Sequence, residues 1–202
     1  MEQQRAGTLV IACGALAREI AALKRANRWD LIEVRCLPAE LHNRPERIAP
    51  AVADKLAELR GRHDRIAVAY ADCGSYGAVD SLLDGTGIER LAGDTCYDLF
   101  GLDEVREALT EEPGTYFLTD FLARTFEHTV WRSLGLDRYP ALRDDYFHAY
   151  RRCLWLAQKP TPALRRSAEH AASLLGLPLS EVVVGESGLE RELVRICSAP
   201  VA

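Results

Sequence analysis

The sequence lacks a long apolar run, an excess of basic residues and any phosphate-binding glycine motif. No stretch of about 18 apolar residues occurs, so we expect no membrane-spanning helix. The net charge of −5 argues against the basic surface that nucleic-acid binding requires, so we expect no nucleic-acid partner. With 48% hydrophobic residues, the 202-residue chain can bury a substantial core, and we expect a single domain.

The six cysteines form no local motif. They occupy positions 13, 36, 73, 96, 153 and 197, so no pair has the CxxC spacing of a zinc ribbon or a thioredoxin-type site. Residues 10–13, Val-Ile-Ala-Cys, resemble a lipid-attachment box, but the apolar run before Cys13 is shorter than the roughly 7–15 residues of a signal peptide. We therefore expect a cytoplasmic protein with reduced thiols, in which any metal site is assembled by the fold.

Strand and helix patterns alternate in the first half of the chain. The predicted strands are residues 9–13, 31–36, 65–71 and, more weakly, 87–93. Because these strands are separated by helical segments, they must run parallel with right-handed crossovers. The pattern predicts an α/β fold with a small doubly wound parallel sheet, ordered about 2-1-3-4.

The second half reads as mainly helical. Helical spacing covers residues 120–134, 141–158 and 162–175, and a last strand and a last helix are predicted at 179–184 and 189–196. We therefore predict that residues 1–113 form the sheet core and that residues 114–202 form a helical extension packed on it, within one domain.

Cysteines stand at the ends of the predicted strands. Cys13, Cys36 and Cys73 each end or follow a strand, and Cys96 follows the fourth. Ligands of open α/β sheets bind at the carboxyl ends of the strands, where the strand order reverses, which here lies between Cys13 and Cys73. Thiolates are soft ligands for zinc or an iron–sulfur cluster. We predict that Cys13, Cys73 and Cys96 bind such a metal centre.

Gly14 and Gly74 directly follow two of these cysteines. A glycine allows the backbone to turn closely around a ligand, and the helix that starts beyond it directs N–H groups at the thiolate. We predict that Gly14 and Gly74 are cofactor-binding positions.

His42 and Glu19 are the predicted catalytic side chains. His42 lies on the loop that leaves the second strand, where it could supply a nitrogen ligand or carry a proton, or be an ordinary loop histidine. Glu19 lies in the helix after Cys13, as a ligand, a hydrogen-bond acceptor or a surface carboxylate.

The remaining candidates are less specific. Cys153 and Cys197 are expected in the core, where free cysteine behaves as a small apolar residue. The sequence leaves open whether Cys36 or His148 joins the site.

Six stretches carry a resemblance to a known family. They are IACGALAREI, LPAELHNRPERI, YADCGSYGA, RLAGDTCYDLFG, TYFLTDFLA and DDYFHAYRR. In this order they resemble a bacterial and archaeal family known as domain of unknown function 1638. The matching positions are Cys13, Glu19, His42, Cys73 and Cys96. Near residue 120 the family tends to carry Thr-x-Gly-Trp, where this chain has Thr-Asp-Phe-Leu at 119–122.

The resemblance implies a role in one-carbon metabolism. Members are often encoded beside corrinoid-dependent methyltransferases for methylated amines, so the implied partner is a corrinoid protein or a methyltransferase. The chain lacks the Asp-x-His-x-x-Gly signature of cobalamin-binding domains, so the corrinoid is expected on the partner.

Three functions stay open at this point. The first is a metalloprotein of methyl-transfer or redox type, with zinc or an iron–sulfur cluster. The second is an accessory, chaperone-like partner of a methyltransferase system, with structural thiols. The third is nucleotide or small-anion binding at the sheet edge, for which GSYG after Cys73 is a weak substitute for the missing phosphate-binding motifs. A homodimer is compatible with each of them.

Overall fold

The computed structural model describes residues 7–198. These residues divide into two compact units: the first runs to Leu99 and resumes at Ser187, and the second comprises residues 100–186. The expectation of a single domain stays a prediction. Within residues 7–198, no helix has both the length and the apolar character that crossing a bilayer requires.

The elements alternate along most of the chain. In chain order they are β1 (Thr8–Cys13), α1 (Ala17–Asn27), β2 (Ile32–Leu37), α2 (Ile48–Leu59), β3 (Arg65–Ala69), α3 (Ala78–Leu83), α4 (Asp98–Glu111), β4 (Thr115–Thr119), α5 (Asp120–Phe126), α6 (Leu142–Phe147), β5 (Arg152–Ala157), α7 (Pro162–Leu175), β6 (Leu179–Val183) and α8 (Ser187–Ser198). Short 3₁₀ turns at Gly14–Leu16, Ala39–Asn43 and Pro45–Arg47 precede α1 and α2, and a π-helical segment, Glu127–Arg132, follows α5.

The first unit contains a three-stranded parallel sheet ordered β2-β1-β3. The central strand β1 is buried along almost its whole length, because neighbours flank it on both edges and helices cover the sheet. The predicted α/β class and parallel strands are confirmed. The strand order therefore reverses beside β1, and Cys13 lies at its carboxyl end.

The predicted fourth strand and the single sheet are wrong. In residues 87–93, only an isolated parallel bridge joins Arg90 to Val68 of β3. Two backbone hydrogen bonds hold this bridge, after which the chain turns away at Gly93, whose φ of +97° suits glycine. The ladder is too short for a strand, although the segment does run beside β3 as the pattern indicated.

The second unit corrects the prediction of a mainly helical C-terminal half. It contains a second three-stranded parallel sheet, ordered β4-β5-β6. The predicted helix 141–158 is in fact α6 followed by β5, and β4 was not predicted. A short continuous apolar run such as RCLWLA fits a buried strand as well as a helix, so periodicity could not separate them. The predicted strand at 179–184 and the helix at 162–175 are confirmed as β6 and α7.

Asp120 ties the second sheet together at the segment that departs from the family pattern. Its buried carboxylate accepts hydrogen bonds from Trp155 Nε1 (3.1 Å) and from the backbone N–H groups of Gln158 (3.1 Å) and Lys159 (2.9 Å). The end of β4 is therefore joined to the end of β5 through one side chain.

Helix α8 returns to the first unit and packs beside β3. Glu192 accepts a hydrogen bond from the backbone N–H of Ala92 (2.8 Å), and Arg195 donates to the carbonyl of Arg90 (2.7 Å) and pairs with Glu89. The last described helix thus fixes the segment that leads into Cys96.

Candidate metal centre

Three side chains meet at the carboxyl end of the first sheet. His42, Cys73 and Cys96 each offer one ligand atom, and these three atoms lie within 4.8 Å of one another. All three residues are partly buried. One soft nitrogen and two sulfurs at this separation could bind one metal ion.

Cys73 is held by the loop that follows β3. Its backbone N–H donates to the carbonyl of Asp94 (2.8 Å), and the N–H of Asp72 donates to that of Gly93 (3.2 Å), so this loop is paired with the loop that carries Cys96. Cys73 adopts a left-handed conformation, with φ of +50°. This conformation is uncommon for a residue with a side chain, and the backbone hydrogen bond to Asp94 holds it here.

Asp72 organises the turn beyond Cys73. Its carboxylate accepts hydrogen bonds from Ser75 Oγ (2.8 Å) and from the backbone N–H groups of Tyr76 (3.1 Å) and Gly77 (2.7 Å). These bonds lower the pKa of Asp72 although burial opposes them. The carboxylate therefore stays charged and keeps the loop closed.

Cys96 is positioned by Asp98 in a similar way. The carboxylate of Asp98 accepts hydrogen bonds from the backbone N–H groups of Asp94 (3.0 Å) and Thr95 (2.9 Å), and so fixes the turn just before Cys96. Asp98 is also the first residue of α4. Negative charge at a helix start is favourable, so the same side chain stabilises both the helix and the turn.

His42 reaches the cluster from the 3₁₀ turn Ala39–Asn43. Its Nδ1 lies 3.1 Å from the carbonyl oxygen of Ala39, and because a carbonyl can only accept, Nδ1 carries the hydrogen. Its Nε2 is buried and has no hydrogen-bond partner among residues 7–198. The imidazole is thus oriented through one nitrogen, and the other is available.

Cys13 lies beside His42 at the end of β1. Its Sγ is 3.7 Å from His42 Nδ1 and accepts a hydrogen bond from the backbone N–H of Ala15 (3.3 Å) at the start of the 3₁₀ turn. Cys13 does not belong to the group formed by His42, Cys73 and Cys96. Its role as a metal ligand stays a prediction.

The charges of the cluster are coupled. Interaction with the Cys96 thiol, and to a smaller extent with the His42 ring, lowers the pKa of Cys73 to about 5 although burial opposes it. Burial would lower the pKa of His42, but interactions with the side chains of Cys13 and Cys73 outweigh it and raise this pKa to about 11. The neighbouring Cys73 thiolate, with burial, raises the pKa of Cys96. Without metal, protons therefore sit on His42 and Cys96 and offset the charge of one thiolate.

Tyr70 forms the inner wall of the cluster. It directly follows β3, is fully buried, and stacks on His42 with ring centroids 6.3 Å apart and an interplanar angle of 17°. Its hydroxyl has no hydrogen-bond partner among the described residues. Burial, followed by the effect of the Cys13 thiol, raises the pKa of Tyr70, so the phenol keeps its proton.

The other predicted site residues lie around this cluster. Glu19 is buried on α1, in the first turn, and is not one of the three ligand residues. A side chain at Gly14 would approach the carbonyl oxygen of Leu37 to 2.8 Å, so this glycine allows the chain after β1 to pass the end of β2. Gly74, with φ of +81°, packs against Pro45 and so brings the Cys73 loop beside the loop that carries His42.

The cysteines and the histidine that the sequence left open or assigned to the core lie elsewhere. Cys36 is exposed on β2, one strand outward from Cys13. His148 is exposed, and its ring nitrogen bonds the carbonyl of Asp145. Cys153 is fully buried in β5, as expected for a core residue, and Cys197 on α8 is partly buried.

Sequence reasoning missed Tyr70, Asp72 and Asp98 as parts of the centre. One signal was present: Tyr70 is the single polar group at the end of the apolar run RIAVAYA, and two acidic residues flank the cysteines in ADC and TCYD. A hydroxyl at the end of a buried parallel strand must find a partner, so its position already indicated the site.

The sequence profile of a family described as "Protein of unknown function (DUF1638)" matches residues 36–193. This range includes His42, Cys73 and Cys96 and begins after Cys13. No curated protein and no solved structure matches the chain significantly.

Proposed function

The chain belongs to the DUF1638 family of proteins of unknown function, and from its cluster we propose that it binds one zinc ion through His42, Cys73 and Cys96. Three protein ligands leave the fourth tetrahedral position of zinc open, which is the usual arrangement of a catalytic site. The function proposed is therefore that of a zinc enzyme.

The orientation of His42 carries this proposal. Its Nδ1–H is bonded to the carbonyl of Ala39, while Nε2 is buried with no partner among residues 7–198. Histidine ligands of metals typically donate their second N–H to a backbone carbonyl or a carboxylate, which fixes the ring and its tautomer. A buried nitrogen without a partner is unfavourable by itself, and a metal ion at Nε2 would satisfy it.

The donor set favours zinc over harder cations. Calcium and magnesium prefer oxygen ligands, whereas thiolate and imidazole are typical of zinc sites. At bond lengths of about 2.0–2.3 Å, tetrahedral donors lie roughly 3.3–3.8 Å apart, a modest contraction from the observed limit of 4.8 Å. An iron–sulfur cluster distributes its protein ligands over several irons and so requires a wider arrangement.

The resemblance to the family supports a finer proposal, which is methyl transfer. In this reaction the methyl group passes from a methylated corrinoid on a partner protein to a thiolate, giving a thioether and the corrinoid as cobalt(I). Zinc in the open site would hold the acceptor thiol in its thiolate form. The assay is the loss of methylcobalamin absorbance with a small thiol, and the same rate with zinc-free protein would contradict this role.

Metal content tests the site itself. Protein purified without oxygen is expected to contain about one zinc per chain, and Cys73→Ser, Cys96→Ser and His42→Gln are expected to lose it. Cys36→Ser is the matched control, because Cys36 is an exposed thiol on the neighbouring strand. Cys13→Ser shows whether the neighbouring thiol of Cys13 is also required.

The possible metal contents have distinct meanings. Iron with sulfide in place of zinc would favour an iron–sulfur protein of redox type. Folded, freshly isolated protein without metal would contradict the proposal and favour an accessory role with structural thiols. Equal zinc in wild-type protein and in Cys73→Ser would contradict the ligand assignment.

A further inference from the structure

The hydroxyl of Tyr70 is a buried donor without an acceptor. The side chain is fully buried, and no hydrogen-bond partner for its Oη exists within residues 7–198. Buried polar groups nearly always have a partner, because leaving one unpaired costs free energy. Within residues 7–198 the Cys13 thiol is close enough to affect this hydroxyl, but it does not meet hydrogen-bond geometry, so a bound molecule can supply the missing acceptor.

The position of Tyr70 indicates what that molecule contacts. The ring stacks on His42, whose Nε2 is the proposed zinc ligand, and the residue ends the run of β3 three positions before Cys73. A second buried hydroxyl without a partner among the described residues, Thr95 Oγ1, stands next to Cys96. The two unpaired hydroxyls thus lie close in sequence to proposed metal ligands, Tyr70 before Cys73 and Thr95 before Cys96.

The charge of the proposed centre indicates the class of ligand. A zinc ion with two thiolates and one imidazole has no net charge, so an anion in the fourth position would make the buried site negative. Hydroxyl donors directed at a buried negative charge offset this cost, and bonds to charged acceptors are the stronger ones. An uncharged ligand without an acceptor would leave the hydroxyls unpaired.

We propose that Tyr70 donates a hydrogen bond to a small anionic ligand that occupies the fourth position of the zinc. This inference rests on the proposed zinc site. It adds that the substrate is negatively charged and that Tyr70 selects for this charge. The acceptor atom is a carboxylate oxygen or a thiolate sulfur, and the experiment distinguishes these two.

The test uses full-length protein in which cobalt(II) replaces zinc, because the visible spectrum of cobalt reports its ligands. Acetate and 2-mercaptoethanol are titrated separately into the wild type, Tyr70→Phe and Tyr76→Phe. The phenylalanine at position 70 keeps the ring stacked on His42. Tyr76 is the control because it is an exposed tyrosine in the turn beyond Cys73. Imidazole serves as the neutral ligand, since its second nitrogen is a donor and offers Tyr70 no acceptor.

Tyr70→Phe is expected to bind cobalt as the wild type does but to bind the anion at least about tenfold more weakly. Tyr76→Phe should match the wild type, and imidazole affinity should be the same in all three proteins. A tenfold effect on acetate alone assigns an oxygen ligand, and an effect on the thiol alone assigns a sulfur ligand.

Three results would overturn the inference. Equal anion affinity in Tyr70→Phe and wild type removes the role of the hydroxyl. Equal weakening of imidazole shows that the substitution only disturbs the site. Cobalt protein that responds to anions only in Cys13→Ser shows that Cys13 fills the fourth position. Failure to bind cobalt at all instead contradicts the zinc site, so the two proposals fail separately.

Discussion

The two nitrogens of His42 have separate tasks. Nδ1 fixes the ring against the carbonyl of Ala39, and Nε2 is buried without a partner among residues 7–198 and is the proposed zinc ligand. A proton occupies the ring where the proposed zinc would bind, since interactions with the side chains of Cys13 and Cys73 outweigh burial and raise the pKa of His42 to about 11. Zinc at the proposed site would therefore compete with this proton.

This competition predicts that zinc binding releases protons. At pH 7.5, His42 and Cys96 each hold a proton and Cys73 holds none, so about two protons should leave per zinc. Because the free site holds more protons, affinity rises with pH in this range. Calorimetry in buffers of different ionisation enthalpy measures the number, and Cys96→Ser, if it retains weak binding, should release about one. Heat that does not depend on the buffer would contradict the protonation pattern.

Gly14 permits a close approach of backbones. A Cβ there would lie 2.8 Å from the carbonyl oxygen of Leu37, so Gly14→Ala forces the backbone apart and should reduce the free energy of unfolding by roughly 2 kcal/mol. Gly61→Ala is the comparison: its φ is +79° but nothing lies within 4 Å, so only the backbone preference of about 1 kcal/mol is lost. Urea unfolding measures both, and an equal loss would contradict the steric explanation.

At the level of elements, α8 fixes the segment before Cys96 through charged groups. Arg195 first, and then the backbone N–H of Ala92, lower the pKa of Glu192 below 4.5. Since the pKa is lower in the folded state, this stabilisation is present above pH 4.5 and is lost as the pH falls through the folded value.

Glu192→Gln tests this contribution. The amide keeps an acceptor for Ala92 but removes the charge, so we expect a loss of about 1 kcal/mol at pH 7 and a smaller difference near pH 3. Glu169→Gln, at an exposed position of α7, should leave the free energy of unfolding unchanged at both pH values. Stability curves in urea at the two pH values provide the measurement, and a loss independent of pH would show that packing, not charge, is responsible.

The carboxylate of Asp120 is the corresponding link between β4 and β5. Asp120→Ala leaves Trp155 Nε1 and two backbone N–H groups without their acceptor, so we expect a loss of about 3 kcal/mol or more in unfolding free energy. Asp120→Asn, which retains one oxygen, should recover part of it. Thermal unfolding measures the stability of both variants. An Asp120→Ala protein nearly as stable as the wild type would show that water replaces the carboxylate.

For the whole molecule, the proposed zinc site and the second sheet belong to different compact units. Zinc should therefore slow hydrogen exchange in the loops at residues 71–77 and 93–97, since a bound ligand lowers local opening. Exchange in β4 and β5 should not change. Mass spectrometry after peptic digestion measures both, and unchanged exchange in the two loops would contradict metal binding there.

The sequence predicted the first sheet better than the second for a physical reason. Glycine and turn residues bound the strands at 9–13 and 65–71, and helices with clear apolar stripes separate them. No glycine or turn residue stands before RCLWLA at 152–157, and its uninterrupted apolar character fits either a helix or a buried strand. The class of fold could thus be predicted, but the division into two sheets could not.

The candidate site was predicted as a set of residues rather than as a geometry. Cys73, Cys96 and His42 could be placed at one edge, because parallel strands direct their following loops to the same side. The choice of His42 over Cys13 among the closest donors depends on the 3₁₀ turn at Ala39–Asn43 and on the left-handed backbone of Cys73. Such local conformations are set by contacts within the loops, and the periodicity of apolar residues in the sequence carries no information about these contacts.

The return of α8 to the first unit affects how the protein is made. A ribosome synthesises the strands β1 to β3 and all three proposed ligands long before it reaches Ser187, yet Glu192 and Arg195 hold the segment in front of Cys96. Domains fold as units during synthesis, so the nascent chain carries an incomplete first unit while the second sheet emerges. If the proposed zinc site is correct, the site is complete only after α8 has been synthesised and has docked beside β3.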